Sequence, residues 1–175
     1  LAEGDRRVVY LGWPSPSGTG DDRRLGWREA MLERGGLSEA ELDRLQLGVE
    51  DEVAQGSAAI RTLLDADVVV DAVVCASDSL ALGALLAVDA GTPVIGYDNT
   101  PVAQAIGLSS VEQPLDEVAA GALELLMGPR GGEVLARTST EPRPRLVTPR
   151  LIVRERVALR TGSPRAQPPM ASTAK

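Results

Sequence analysis

The chain alternates short aliphatic runs with helix-length amphipathic segments, and that alternation limits its fold more than any other feature. Arg7–Leu11 reads as a buried strand, followed by a Pro/Ser/Gly loop through Gly20. Asp21-Asp22 opens a helix to about Arg34, with Leu25, Met31 and Leu32 as its apolar stripe and Gly35-Gly36 as its stop. Ser38-Glu39-Ala40-Glu41 is a capping-box pattern for a short helix, and Leu45–Val49 is a second strand. A helix over about Glu52–Leu64 leads to a strand at Asp71–Ala76. Ser77-Asp78 then caps a helix to about Asp89, and Pro93–Tyr97 forms another strand. Four strand–helix alternations with short links predict an α/β fold: an open parallel sheet flanked by helices.

The pattern changes after Val111. Pro114-Leu115 begins an amphipathic helix to Met127 with a wide apolar face. A Gly/Pro/Arg/Thr-rich loop over 128–144 separates it from a last strand, Arg145 to about Val157. From Thr161 the composition reads as a disordered tail.

Composition removes several chemistries. Of the 175 residues, 43% are hydrophobic, and with two Trp, two Tyr and no Phe the burial is aliphatic. There is no His, and the sole Lys is Lys175. Histidine-activated nucleophiles, histidine metal sites, a P-loop lysine and an internal Schiff-base lysine are therefore unavailable. No enzymatic activity, cofactor or metal is expected. The single Cys75 sits in an apolar run and reads as a small buried hydrophobe. The net charge of −7 lacks the electrostatic footprint of direct DNA binding. No stretch reads as a membrane span or a signal peptide, so a cytoplasmic location is expected. The Gly12…Gly18-Thr19-Gly20 loop reads weakly as a phosphate cradle, because it lacks a lysine and Asp21-Asp22 would repel an anion.

Four stretches stand in register: Arg23-Arg24-Leu25-Gly26-Trp27; the strand, Asp78 and Ala-Leu-Gly-Ala-Leu helix within 72–86; Val94–Asn99 (VIGYDN); and Ser110–Leu115 with Thr148–Ala158 (TPRLIVRERVA). Together they resemble the LacI/GalR family of transcriptional regulators. The resemblance implies a periplasmic-binding-protein-like fold, two α/β lobes with a small-molecule effector between them. On that footing residues 1–112 form the C-terminal lobe. Residues 113–160 supply a helix and strand that pair with the N-terminal lobe and return, and 161–175 form the tail. The operator-reading head and most of the N-terminal lobe lie outside this chain. The implied function is sensing of a sugar, polyol or nucleoside-like effector by a homodimeric regulator, with the alternative of a solute-binding component of a sugar transporter.

The resemblance also nominates site residues. Asp98, at a strand end, would accept hydrogen bonds from ligand hydroxyls or an amine, or cap the turn Asn99-Thr100-Pro101. Arg23 would donate to the effector, or serve as a solvated helix-face residue or a partner of Asp21 or Asp22. Thr19 and Ser77 occupy family effector-site positions. Trp13 would stack on a ring at the cleft mouth or pack against Pro14 and Pro16. Leu82 and Leu85, with Leu86 beside them, are candidates for the dimer interface or for core packing. Two departures bear on specificity: Val49-Glu50-Asp51 carries no ring where many members place an aromatic, and Ser77 stands at a family Asn. The link Ala90-Gly91-Thr92 is also shorter than usual in the family.

Overall fold

The computed structural model describes residues 7–34, 36–127 and 146–155. Its core is one sheet of six strands: β1 (Val8–Gly12), β2 (Gln46–Gly48), β3 (Ala72–Cys75), β4 (Val94–Tyr97), β5 (Ser109–Glu112) and β6 (Arg150–Ile152). Their order is β2-β1-β3-β4-β5-β6. The first five are parallel, and β6 runs antiparallel to β5 with Ser110 opposite Ile152. The helices are α1 (Thr19–Arg34), α2 (Glu39–Arg44), α3 (Val53–Asp65), α4 (Asp78–Leu85), α5 (Pro101–Ala105) and α6 (Leu115–Met127). The parallel α/β architecture expected from the alternation is the one observed.

Strand β1 shows why the sheet needs helices on both sides. Successive side chains of a strand point to opposite faces, and all five residues of β1 are buried. Tyr10 meets Trp27 of α1, with ring centroids 5.8 Å apart, and the Trp27 indole N–H donates to Val8 O at 3.1 Å. The Tyr10 hydroxyl donates to Gly20 O at 2.9 Å, and burial pushes its pKa up to about 12. Helices α3 and α4 pack in backbone contact through Gly56 and Gly83. A Cβ on Gly83 would lie 2.3 Å from Val53 O and 2.8 Å from Ser57 N.

Local capping follows the expected chemistry. Ser38 and Glu41 form the reciprocal capping box on α2, and the Ser77 hydroxyl accepts from Leu80 N at 3.1 Å to start α4. Cys75 is buried, and burial pushes its thiol pKa up, consistent with a packing role.

Several boundaries differ from expectation. Helix α1 begins at Thr19, two residues early, and its buried side chains are Trp27 and Met31, whereas Leu25 and Leu32 face solvent. Tyr10 rewards the large aromatic at 27, so the inward stripe runs through 27 and 31 rather than 25 and 32. Helix α4 ends at Leu85, short of Asp89. Helix α5 and strand β5 did not register as elements: five and four residues are too few to display a period. Thr100 caps α5, and Pro101 starts it. The last strand narrows to Arg150–Ile152, and residues 146–149 belong to no strand. The expected stop at Gly35, the 128–144 loop, the strand ends at Arg145 and Val157, and the tail from Thr161 lie outside the described residues.

Candidate functional site

The strand order reverses its direction of travel at β1: the chain steps from β1 outward to β2, then returns across β1 to β3. In open parallel sheets such a switch point leaves a crevice at the carboxyl ends of the strands, because the loops leaving the two central strands part company. Here the crevice lies where β1 ends at Gly12 and β3 ends at Cys75.

Arg23 bridges it. Its helix follows β1, yet its Nη1 donates to Ala76 O, just past β3, at 2.5 Å. The guanidinium lies 3.6 Å from the Tyr97 ring centroid, at the end of β4, and 5.3 Å from the Trp13 centroid. One cation thus joins the ends of three adjacent strands and is held by two π-faces. The solvated-face and Asp21/Asp22 alternatives for Arg23 do not describe this geometry; Asp21 instead bonds Arg24 and the Ser17 N–H, and that backbone bond holds its pKa low.

Trp13 is half-buried, and its ring fits only because Gly20 has no side chain; a Cβ there would meet the ring at 2.7 Å. Among the described residues its buried Nε1–H meets no acceptor. Thr19 is exposed at the first turn of α1.

Ser77 is buried as the α4 cap, and its hydroxyl donates to the exposed Asp51 carboxylate. Asp51 lies beyond β2, so this bond ties the β2 and β3 loop ends together beside Ala76. Asp51 is a further residue of this edge, within the Val49-Glu50-Asp51 stretch noted above for carrying no ring.

Asp98 follows Tyr97 directly and is exposed. Its N–H donates to Val111 O at 2.8 Å, and its Oδ1 accepts from Gln113 Nε2 at 2.6 Å. Capping of α5 falls to Thr100, whose hydroxyl accepts from Ala103 N, so Asp98 is not that cap. Asp98 lines a groove of about 550 Å³ with Glu112, Gln113, Leu115 and Arg150. The neighbouring acid, Asp78, is buried and structural. It accepts from Thr100 N at 2.7 Å and Ser110 Oγ at 2.6 Å, and Gly96 leaves room for its carboxylate.

Arg23, Trp13, Ser77 and Asp98 therefore share the carboxyl edge of the sheet, with Thr19 on the helix that follows β1. Leu82 and Leu85 lie away from it on α4. Both are half-buried; Leu85 packs against the core, and neighbouring Leu86 is 55% exposed. Tyr97 and Gln113 are further residues of the edge that the sequence does not single out, because nothing local marks a ring as a cation platform or an amide as a carboxylate partner.

Residues 1–156 match the periplasmic binding protein-like domain family. The chain belongs to that family, in the form carried by LacI/GalR-type regulators. It is 33% identical over 165 residues to the HTH-type transcriptional regulator CelR of Thermobifida fusca, covering 89% of this chain and 46% of that protein. A LacI-family regulatory protein from Chloroflexus aggregans superposes with a TM-score of 0.71 at 29% identity, over 86% of this chain and 55% of that one. A structure of a CelR–cellobiose complex superposes with a TM-score of 0.68 at 30% identity, over 88% and 47%. The chain thus spans about half the length of these relatives. These relatives are transcriptional regulators, and among the described residues no helix is long and apolar enough to cross a membrane.

Proposed function

We propose that this LacI/GalR-type domain is the C-terminal effector-sensing lobe of a transcriptional regulator, and that its ligand is a small polyhydroxylated molecule, foremost a sugar. The observation that carries the reading is Arg23 spanning the switch point between Ala76 and the Tyr97 ring, one residue from Asp98. Arg23 supplies hydrogen-bond donors, and Asp98 supplies an anionic acceptor for paired hydroxyls. Trp13, half-buried beside Arg23, offers a ring at the rim. Thr19 and the Asp51–Ser77 pair extend the polar rim. A relative solved with cellobiose supports the sugar class.

In this reading the segment from residue 113 pairs with an N-terminal lobe that closes over the effector, and returns to this lobe at β6. That closure shifts a homodimer between operator-competent and operator-incompetent arrangements in the cytoplasm. Operator contacts belong to a head outside this chain. The dimer surface centres on Leu82 and the exposed Leu86, with Leu85 turned partly inward.

Calorimetry on the full-length protein with cellobiose, other glycosides, polyols and nucleosides tests the proposal. Asp98→Ala and Arg23→Met should each weaken the ligand found by about 10- to 100-fold, the worth of a charge-assisted hydrogen bond. Unchanged affinity in both variants overturns the site. No binding across the panel overturns the ligand class.

A further inference from the structure

We propose that Asn99 is a positioning residue that sets the orientation of the Asp98 carboxylate, and that Arg154 and Glu112 hold it from the β5–β6 pair. The proposal rests on the reading of Asp98 as ligand-facing, and adds how that carboxylate is aimed.

Asp98 and Asn99 are consecutive non-glycine residues with positive φ, 100° and 50°. Asn tolerates the left-handed region, but φ near 100° lies beyond the αL minimum for a residue with a Cβ. Such a pair keeps its shape only when surrounding contacts over-determine it. Here they do. Each polar group of Asn99 is engaged: its N–H donates to Ser110 Oγ at 3.0 Å, and its carbonyl accepts from Gln104 Nε2 at 3.0 Å. Its Oδ1 accepts from Arg154 Nη2 at 2.6 Å, and its Nδ2 donates to Glu112 Oε1 at 2.7 Å.

The clamp is anchored in turn. Arg154 Nη1 donates to Leu108 O at 2.8 Å, and its backbone N–H donates to Ser109 Oγ at 3.0 Å. Glu112 is paired with Arg150. Among the described residues, the Asp98 backbone N–H is tied to Val111 O and its carboxylate to Gln113, both on the 108–113 segment that also anchors the Asn99 clamp. Asn suits the junction because one side chain must present an acceptor to a guanidinium and a donor to a carboxylate. Aspartate keeps the first contact and sets two carboxylates against each other; glycine keeps the backbone freedom and loses both contacts.

Crystal structures of Asn99→Asp, Asn99→Gly and Arg154→Met test this without a ligand. The expected result is loss of the Asp98–Gln113 bond, or departure of Asp98 from φ near 100°, in Asn99→Asp and Arg154→Met. If Arg154→Met does not fold, Asn99→Gly replaces it, because it requires no new backbone conformation. Asp98 within about 20° of its present φ, still bonded to Gln113 in the variants that fold, overturns the proposal. In the full-length protein, cellobiose affinity should fall about tenfold in Asn99→Gly, and Arg154→Lys should recover part of the loss in Arg154→Met. Equal affinity in parent and Asn99→Gly also overturns it. A parent that leaves cellobiose and the rest of the panel unbound defeats the reading above instead, and the Asp98 geometry then decides this one by itself.

Discussion

Helices α4 and α6 look alike on paper and differ in the molecule. Both are short, begin with acidic residues and are rich in Leu and Ala. Helix α4 buries Asp78, Leu80, Ala81, Gly83 and Ala84. Helix α6 buries Gly121 alone, with Leu125 72% and Leu126 84% exposed. The difference lies in connectivity. Helix α4 joins β3 to β4, adjacent parallel strands, and a crossover between parallel neighbours must lie back on the sheet. Helix α6 leaves β5, and the next described strand, β6, is antiparallel and comes only after residues 128–145. No short tether returns α6 to the sheet. Apolar content says that a helix wants a partner; connectivity says whether this sheet is that partner.

Substitutions can break or sharpen that contrast. The largest expected effect is at Gly83, where any Cβ runs into the α3 backbone. Gly83→Val should abolish the cooperative unfolding transition seen by circular dichroism in urea. Next comes Leu80→Ala, which empties a fully buried position on α4 and should cost about 2–5 kcal/mol, read from the shift in urea midpoint. A retained midpoint would show α4 to be as loosely held as α6.

A smaller effect, confined to acid, belongs to the clamp at the end of β5. Hydrogen bonds from Arg150 first, and from Asn99, hold the Glu112 pKa below its usual value. A depressed carboxyl contributes stability that is complete above the unfolded pKa near ~4.3 and is lost as pH falls through the lower folded value. Glu112→Gln should therefore flatten the parent's loss of stability below about pH 4 and leave its slope at higher pH unchanged, measured by urea unfolding across pH. The smallest effect is expected on α6: Leu126→Glu should move the stability of this chain by no more than about 0.5 kcal/mol, because little surface there leaves water on folding. A large loss would mean that α6 is covered in solution, and sedimentation velocity would show whether a second copy covers it.

The same contrast marks how far the primary structure could be read. Strands β1, β3 and β4 are legible because each opens on an apolar run rich in Val or Ile and ends near Gly, Pro or a cap residue, and the Ser38–Glu41 box is a purely local device. Strand β5 and helix α5 are not, since Ser109-Ser110 and a five-residue helix carry no periodic signal; their identity comes from the neighbours they pair with and pack against. Asp98 and Arg23 were nominated by resemblance, yet neither spacing nor composition shows that Arg23 would cross from α1 to Ala76 and lie on Tyr97. The buried stripe of α1 is likewise set by its neighbours. Leu25 and Leu32 are as apolar as Met31, but only residues 27 and 31 meet Tyr10 and the core.

What the chain's order of residues settled alone was the alternation, the caps and the exclusion of histidine and lysine chemistry, because hydrophobic period, hydrogen-bonding caps and residue inventory are local properties. The tertiary structure decided which strands are neighbours, which apolar faces find cover and which side chains meet at the carboxyl edge. Those outcomes depend on contacts between residues as far apart as Asn99 and Arg154, whose closeness exists only once the sheet has formed.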